Sequence, residues 1–279
     1  MKSYLKHLNK LSSQIEEYFL KNRESKKTLF LDGTGMLSSY QNAAISILGI
    51  EGLNQFEQIH LVSGSTYALF IYLAIQEGEF LWDSKDIEIW NQNVRSWHGV
   101  TPILSLVKFL TYKYTKQPAG KFGGHRKACE QFFSPTFLNR KLSDFPDNYY
   151  VWAYNVTKKQ LTLVNKNNGF GNLSVSDVIS IASSVPSIFG AYTHEGDTFI
   201  DAMYAPGFSN FKYDIFKNQN VLHLNMFKTG HKNGIQSLKI HDHQNGNELI
   251  RRDFYKFLLG LKNHEFELVT KYALFGVKS

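Results

Sequence analysis

At 279 residues, with 43% apolar and 20% charged side chains, the chain carries enough material for a large core. Its composition is that of an ordinary globular protein, which excludes long disorder and suits one large α/β domain. The single cysteine, Cys129, excludes an internal disulfide and fits a reducing compartment, and no stretch of 18 apolar residues offers a membrane-spanning helix. The net charge of +7 is unevenly placed: between Lys108 and Lys141 eight basic residues face Glu130 alone, so that window holds the whole excess.

The first 27 residues place Leu5, Leu8, Leu11, Ile15 and Phe19 at helical spacing among charges. This predicts an amphipathic helix packed on the core rather than a signal peptide, whose apolar run would be continuous. "TLFLDGTG" reads as a short buried strand, Thr28 to Leu31, closed by a glycine turn. "SSYQNAAISILGIEGL" reads as a helix capped by Ser38 or Ser39, with Ala43, Ala44, Ile47 and Leu48 facing in and a glycine at its end. "QIHLV" is the next strand, and "TYALFIYLAIQEGEF" a nearly all-apolar helix ending around Gly78. Strand, helix, strand, helix in some fifty residues is a βαβα unit, hence a parallel sheet with crossover helices.

Ligands bind beyond the carboxyl ends of such strands, and both Asp32-Gly33-Thr34-Gly35 and Ser63-Gly64-Ser65 fall there. A serine on a sharp strand-to-helix turn is held out of the core at the positive end of a helix dipole, a good place for an oxyanion. The glycine loop can offer backbone N–H groups to the same oxyanion. The base is harder to find. None of the ten histidines lies in a segment that points to a triad; His60, inside a strand, reads as a packed side chain, and His241 and His243 read as a polar loop rather than metal ligands. Asp201, directly after the apolar pair Phe199-Ile200 and before the turn at Pro206-Gly207, is the better candidate. Cys129 has no motif around it and reads as structural.

Three separated stretches, in order, resemble the patatin-like phospholipase family of lipid acyl hydrolases. "LDGTGMLSS" (31–39) is similar to the family's glycine-rich oxyanion loop, "VSGSTYA" (62–68) to its Gly-x-Ser-x-Gly elbow, and "ASSVPSIFGAYTHEGDTFIDAM" (182–203) to its helix end and following Asp-Gly-Gly strand end. "YYVWAYNVTKKQLTLVN" (149–165) resembles the strand pair before that helix. The resemblance spans roughly residues 28 to 207. It implies a three-layer α/β/α fold with a central, mostly parallel sheet over residues 1–279, and a Ser-Asp dyad without histidine or cofactor. Carried over position by position, Ser65 is the nucleophile, Asp201 its general base, and the N–H groups of Gly33, Thr34 and Gly35 the oxyanion hole. In this register Ser63 and Tyr67 stand where the family has elbow glycines, Thr34 replaces the middle loop glycine, Leu37 the loop arginine, Ser38 the glycine after it, and Ala202 the glycine after the aspartate.

Three functions stay open: a hydrolase releasing fatty acid from a glycerolipid; a thioesterase or acyltransferase fed by an acyl carrier protein or coenzyme A thioester; and an inactive lipid- or protein-binding module. The basic window, with Lys113, Lys116, Lys121, Arg126 and Lys127, is a candidate docking surface for an anionic membrane or an acidic carrier protein. Nucleic acid is not expected, because no binding motif accompanies the charge. Residues 82–148 are expected to cover the site as a lid or insertion. The C-terminal 70 residues read as a strand, "NVLHLNMF", and one long helix, "ELIRRDFYKFLLGLKNHEFELVTKYAL". The expected location is cytoplasmic, with peripheral membrane attachment as an alternative.

Overall fold

The computed structural model describes residues 2–35, 38–89, 101, 103–120, 124–208, 214–216, 219–259, 261 and 263–276. Its helices are α1 (Lys2–Lys21), α2 (Ser38–Leu53), α3 (Gly64–Glu77), α4 (Leu104–Thr115), α5 (Gly124–Phe132), α6 (Pro135–Asn139), α7 (Val175–Ala182), α8 (Gly246–Leu259) and α9 (His264–Phe275). Its strands are β1 (Lys27–Leu31), β2 (Gln58–Val62), β3 (Tyr149–Asn155), β4 (Gln160–Val164), β5 (Tyr192–His194), β6 (Asp197–Asp201), β7 (Asn220–Asn225), β8 (Gly230–Lys232) and β9 (Ile235–Lys239).

The nine strands form one open sheet in the order β5-β6-β3-β2-β1-β7-β9-β8, with β4 also paired to β3. Its middle, β3-β2-β1-β7-β9, is parallel, and the β3–β4, β3–β6, β5–β6 and β8–β9 pairs are antiparallel. Strand β1 is buried along its whole length, as a central parallel strand covered on both faces must be. Alternation sorts the two faces. Leu29, Leu31, Ile59, Leu61, Val151, Leu222 and Leu224 join the main core under α1, α2, α3 and α9. Phe30, Val62, Trp152, Val221 and Ile235 join a smaller core with Ala202, Ala205, Phe208 and Phe216. Short helical turns in the described parts of residues 202–216 thus form the third layer of an α/β/α arrangement.

The strand order places β1 between β2, its successor, and β7, which the chain reaches only after β3 to β6. That is a switch point, where a crevice opens outside the carboxyl ends of the strands. Asp32 and Ser63 are the residues that follow β1 and β2 there.

Helix α1 buries Tyr4, Leu8, Leu11, Ile15 and Tyr18, and Leu5 and Phe19 pack partly against the same core. Three expectations need correction. Ser38 and Ser39 are both buried inside α2, so neither is its cap. Helix α3 begins at Gly64 rather than Thr66 and ends at Gly78, whose left-handed φ of 72° lets its N–H close on Ala74 and Ile75 carbonyls. The long C-terminal helix is two helices, broken between Leu259 and His264. The Leu261 N–H turns back to the Lys256 carbonyl there, and Asn263 precedes the new helix.

Candidate active site

Strand β2 runs out at Val62, and α3 starts at Gly64, so Ser63 alone makes the corner. Its backbone sits at φ 55°, ψ −125°, a conformation L-residues avoid at a cost of about 1–3 kcal/mol. Two contacts pin the corner: the Thr66 N–H donates to the Ser63 carbonyl at 3.0 Å, and the Ser183 hydroxyl donates to the same oxygen at 3.4 Å. The next residue has no room for a side chain. A Cβ on Gly64 would lie 2.4 Å from the Gly35 carbonyl oxygen and 2.8 Å from Thr34 Oγ1, so the loop after β1 packs directly on the elbow.

Ser65, the expected nucleophile, does not occupy this corner. Ser65 lies in the first turn of α3, fully buried and turned inward. Its hydroxyl accepts the Val62 N–H at 2.8 Å and lies 2.9 Å from the Leu31 and Val62 carbonyl oxygens, tying the ends of β1 and β2 together. It is a structural clasp with no line to the cavity. The residue at the corner is Ser63, two positions earlier, and its side chain interacts with the carboxylate of Asp201, favouring the charged form.

Asp201 closes β6, beside Ala153 of β3. Its N–H donates to the Ser184 carbonyl, and its Oδ1 accepts the Met203 N–H at 2.9 Å. Burial pushes its pKa from 3.8 to about 6, helped by the nearby charge of Asp32 and opposed by the hydrogen bonds from Ser63 and Met203. A carboxylate of that basicity is suited to taking a proton near neutral pH.

Gly33, Gly35, Ser63, Gly64 and Asp201 all line one cavity of about 410 Å³, whose walls are mainly apolar: Ile71, Phe109, Phe132, Ile188, Phe189 and Phe254 among them. Phe109 and Phe132 come from the 82–148 segment; residues 90–100, 102 and 121–123 of that segment lie outside the described residues. Tyr67 also lines the cavity, one helical turn beyond the corner, with its hydroxyl 4.0 Å from Cys129 Sγ.

The oxyanion loop needs a second correction. The Gly33 N–H donates to Oδ1 of its own neighbour Asp32 at 2.9 Å and so is not a free donor. Thr34 is fully buried, and its Oγ1 has no hydrogen-bond partner among the described residues. Gly35 and Gly64 both line the cavity, the latter in the first turn of α3, where amides have no intrahelical acceptor.

Behind the loop stands a buried relay that the sequence did not suggest. His223 of β7 has Nε2 3.1 Å from Asp32 Oδ2 and Nδ1 3.0 Å from Ser237 Oγ of β9. Asp32 is wholly buried and His223 nearly so. The imidazole therefore holds the Asp32 carboxylate, and the carboxylate holds the loop. Two other buried histidines, His60 and His241, are packing groups. His60 accepts the Trp152 indole N–H at 3.1 Å and is pushed by burial to a pKa of about 3; His241 bonds the Met226 carbonyl and is lowered by burial to about 4. Cys129 is buried, with its pKa pushed up to about 12 by burial, which excludes a nucleophilic thiolate.

The basic window divides. Lys113 and Lys116 sit exposed at the end of α4; Arg126 and Lys127 lie on α5, where Arg126 pairs with Glu130 at 3.4 Å and lines a different cavity. Lys121 lies outside the described residues. Arg251 of α8 was missed altogether: it is exposed, lines the cavity, and has no acidic partner among the described residues. No group of metal-ligating side chains occurs among the described residues, and no described helix is long and apolar enough to cross a membrane. No family model and no curated protein matches the chain.

Proposed function

We propose that the chain is a serine acyl hydrolase of patatin-like type, with Ser63 as nucleophile, Asp201 as general base, and a fatty acyl ester of a lipid as substrate. One observation carries this reading: a strained corner serine shares the wall of an apolar cavity with a buried aspartate of raised pKa. In the reaction Ser63 Oγ attacks the ester carbonyl carbon while its proton passes to Asp201. The N–H groups of Gly35 and Gly64, with the α3 dipole, receive the oxyanion. Collapse breaks the bond to the alkoxy oxygen, which takes the proton from Asp201 and leaves an acyl-Ser63. Water then attacks the acyl carbon as its proton passes to Asp201; the bond to Ser63 Oγ breaks, Oγ takes that proton back, and the carboxylic acid leaves.

A thioester donor would use the same acyl-serine. Arg251 at the rim favours a donor with an anionic group, whether a phospholipid or a phosphate-bearing thioester. The test is a fluorophosphonate probe followed by peptide mapping. Adduct on Ser63, absent in Ser63→Ala and retained in folded Ser65→Ala, is expected; an adduct on Ser65, or none on folded wild type, overturns the assignment. Intact mass after incubation with glycerophospholipids beside carrier and coenzyme A thioesters then identifies the donor.

A further inference from the structure

Helix α4 has two faces with different fates. On one side Ser105 is buried, accepting the Thr101 N–H and donating to the Ala119 carbonyl, both at 2.9 Å, and Phe109 lines the cavity with its ring 4.9 Å from that of Phe254. On the other side, Ile103, Val107, Leu110 and Tyr114 follow at spacings of four, three and four and form one stripe with Leu104 beside it. These five are 73%, 50%, 60%, 81% and 54% exposed, in that order. Scattered exposed leucines need no explanation, but a contiguous row on one helix does. The helix has no acidic residue, and Lys113 and Lys116 are exposed with no acidic partner among the described residues. Two further apolar side chains, Met203 and Tyr204, are 39% and 51% exposed and line the cavity.

We propose that α4 is an interfacial helix that seats the protein on an anionic phospholipid bilayer, its stripe among the acyl chains and Lys113 and Lys116 on the headgroup phosphates. The cavity-lining Phe109 lies on the opposite face of the same helix, so docking through the stripe brings the lipid to within about one helix diameter, ~10 Å, of the cavity wall. An acidic carrier protein is less suited, because it would match the lysines and leave the five apolar side chains in water. The docking is independent of acyl transfer; it rests on the proposed function only for what the docked site then does.

The experiment is flotation of the full chain with phosphatidylcholine vesicles, with and without phosphatidylserine. Wild type and Ser63→Ala are expected to float equally, so loss of hydrolysis and loss of docking are separable. Val107→Ser and Leu110→Ser, at exposed sites where folding is not at stake, are each expected to weaken partition about 10-fold. Lys113→Gln and Lys116→Gln are each expected to weaken it about 5-fold, and only where phosphatidylserine is present. Three results overturn the proposal: no flotation of folded wild type, flotation unchanged in the stripe variants, or sedimentation showing a dimer that the stripe variants dissolve. Saturable binding to an acidic acyl carrier protein without vesicle binding would reassign the surface to that partner.

Discussion

Asp201→Asn separates what the aspartate does for the reaction from what it costs the fold. The carboxyl is buried, and its pKa rises from 3.8 to about 6, chiefly through loss of hydration. The folded protein therefore binds this proton more tightly than the unfolded chain does. The stability Asp201 allows is fully present below about pH 4 and is lost as pH rises through about 6. A displacement of that size corresponds to about 3 kcal/mol at and above pH 7. Asparagine mimics the neutral form: its amide oxygen can still accept the Met203 N–H and the Ser63 hydroxyl. The variant should match wild type near pH 4, apart from a constant offset, and gain on it by about 1.4 kcal/mol per pH unit until it leads by about 3 kcal/mol at pH 7. Urea midpoints of both proteins from pH 4 to pH 8, with equal slopes, measure this directly, because the titration of every other carboxylate cancels in the difference. A difference that stays flat across the range would refute the raised pKa. Acylation of the same variant should fall by orders of magnitude at every pH, whereas wild-type acylation should rise with pH through about 6 as the base ionises.

Other consequences follow from the corner and its surroundings. Ser63→Gly should be more stable than Ser63→Ala by about 1 kcal/mol, because only glycine relaxes at φ 55°, while neither forms an acyl-enzyme; equal urea midpoints would remove the strain from the account. His223→Leu should cost about 3–5 kcal/mol by removing the imidazole from the buried Asp32 carboxylate, read as a lowered melting temperature. Arg251→Gln should raise KM for phosphate-bearing donors about 10-fold and leave turnover of a small neutral ester unchanged, since an exposed rim cation binds charge and does not touch the reacting carbonyl; equal effects on both substrates would assign Arg251 another role.

The parts of the fold that the sequence made legible are those governed by local rules. The short segment "QIHLV", with Ile59, Leu61 and Val62 apolar, and the glycine at 78 mark β2 and the end of α3 because strand burial and left-handed capping are properties of neighbouring residues. The strand end at Asp201 was readable for the same reason. The break in the C-terminal helix was not, because the apolar spacing continues across Leu261 and Asn263 while the backbone does not. The His223–Asp32 pair was invisible for a different reason: it joins β7 to the end of β1 across 191 positions, and only the strand order brings them together.

The move of the proposed nucleophile from Ser65 to Ser63 has its own physical cause. Matching the elbow by its serines leaves two candidates, each followed by a plausible neighbour. What decides between them is where the strand ends. A nucleophile must occupy the corner itself, because one residue later the side chain is already on the helix and turns back over the sheet. In "LVSGST" the apolar run stops at Val62, so the corner is Ser63, and the residue after it must be small because the loop after β1 crosses there. Gly64 satisfies that demand, with a would-be Cβ 2.4 Å from the Gly35 carbonyl, whereas a match centred on Ser65 assigns no role to this glycine. Ser65 then takes a position where a hydroxyl has a different use: within one turn of the helix it can reach back to the chain ends of both central strands and hold the corner in its strained shape. The two serines are therefore not rivals for one task. The clasp at Ser65 fixes the strand ends, and with them fixed the corner can hold Ser63 toward Asp201.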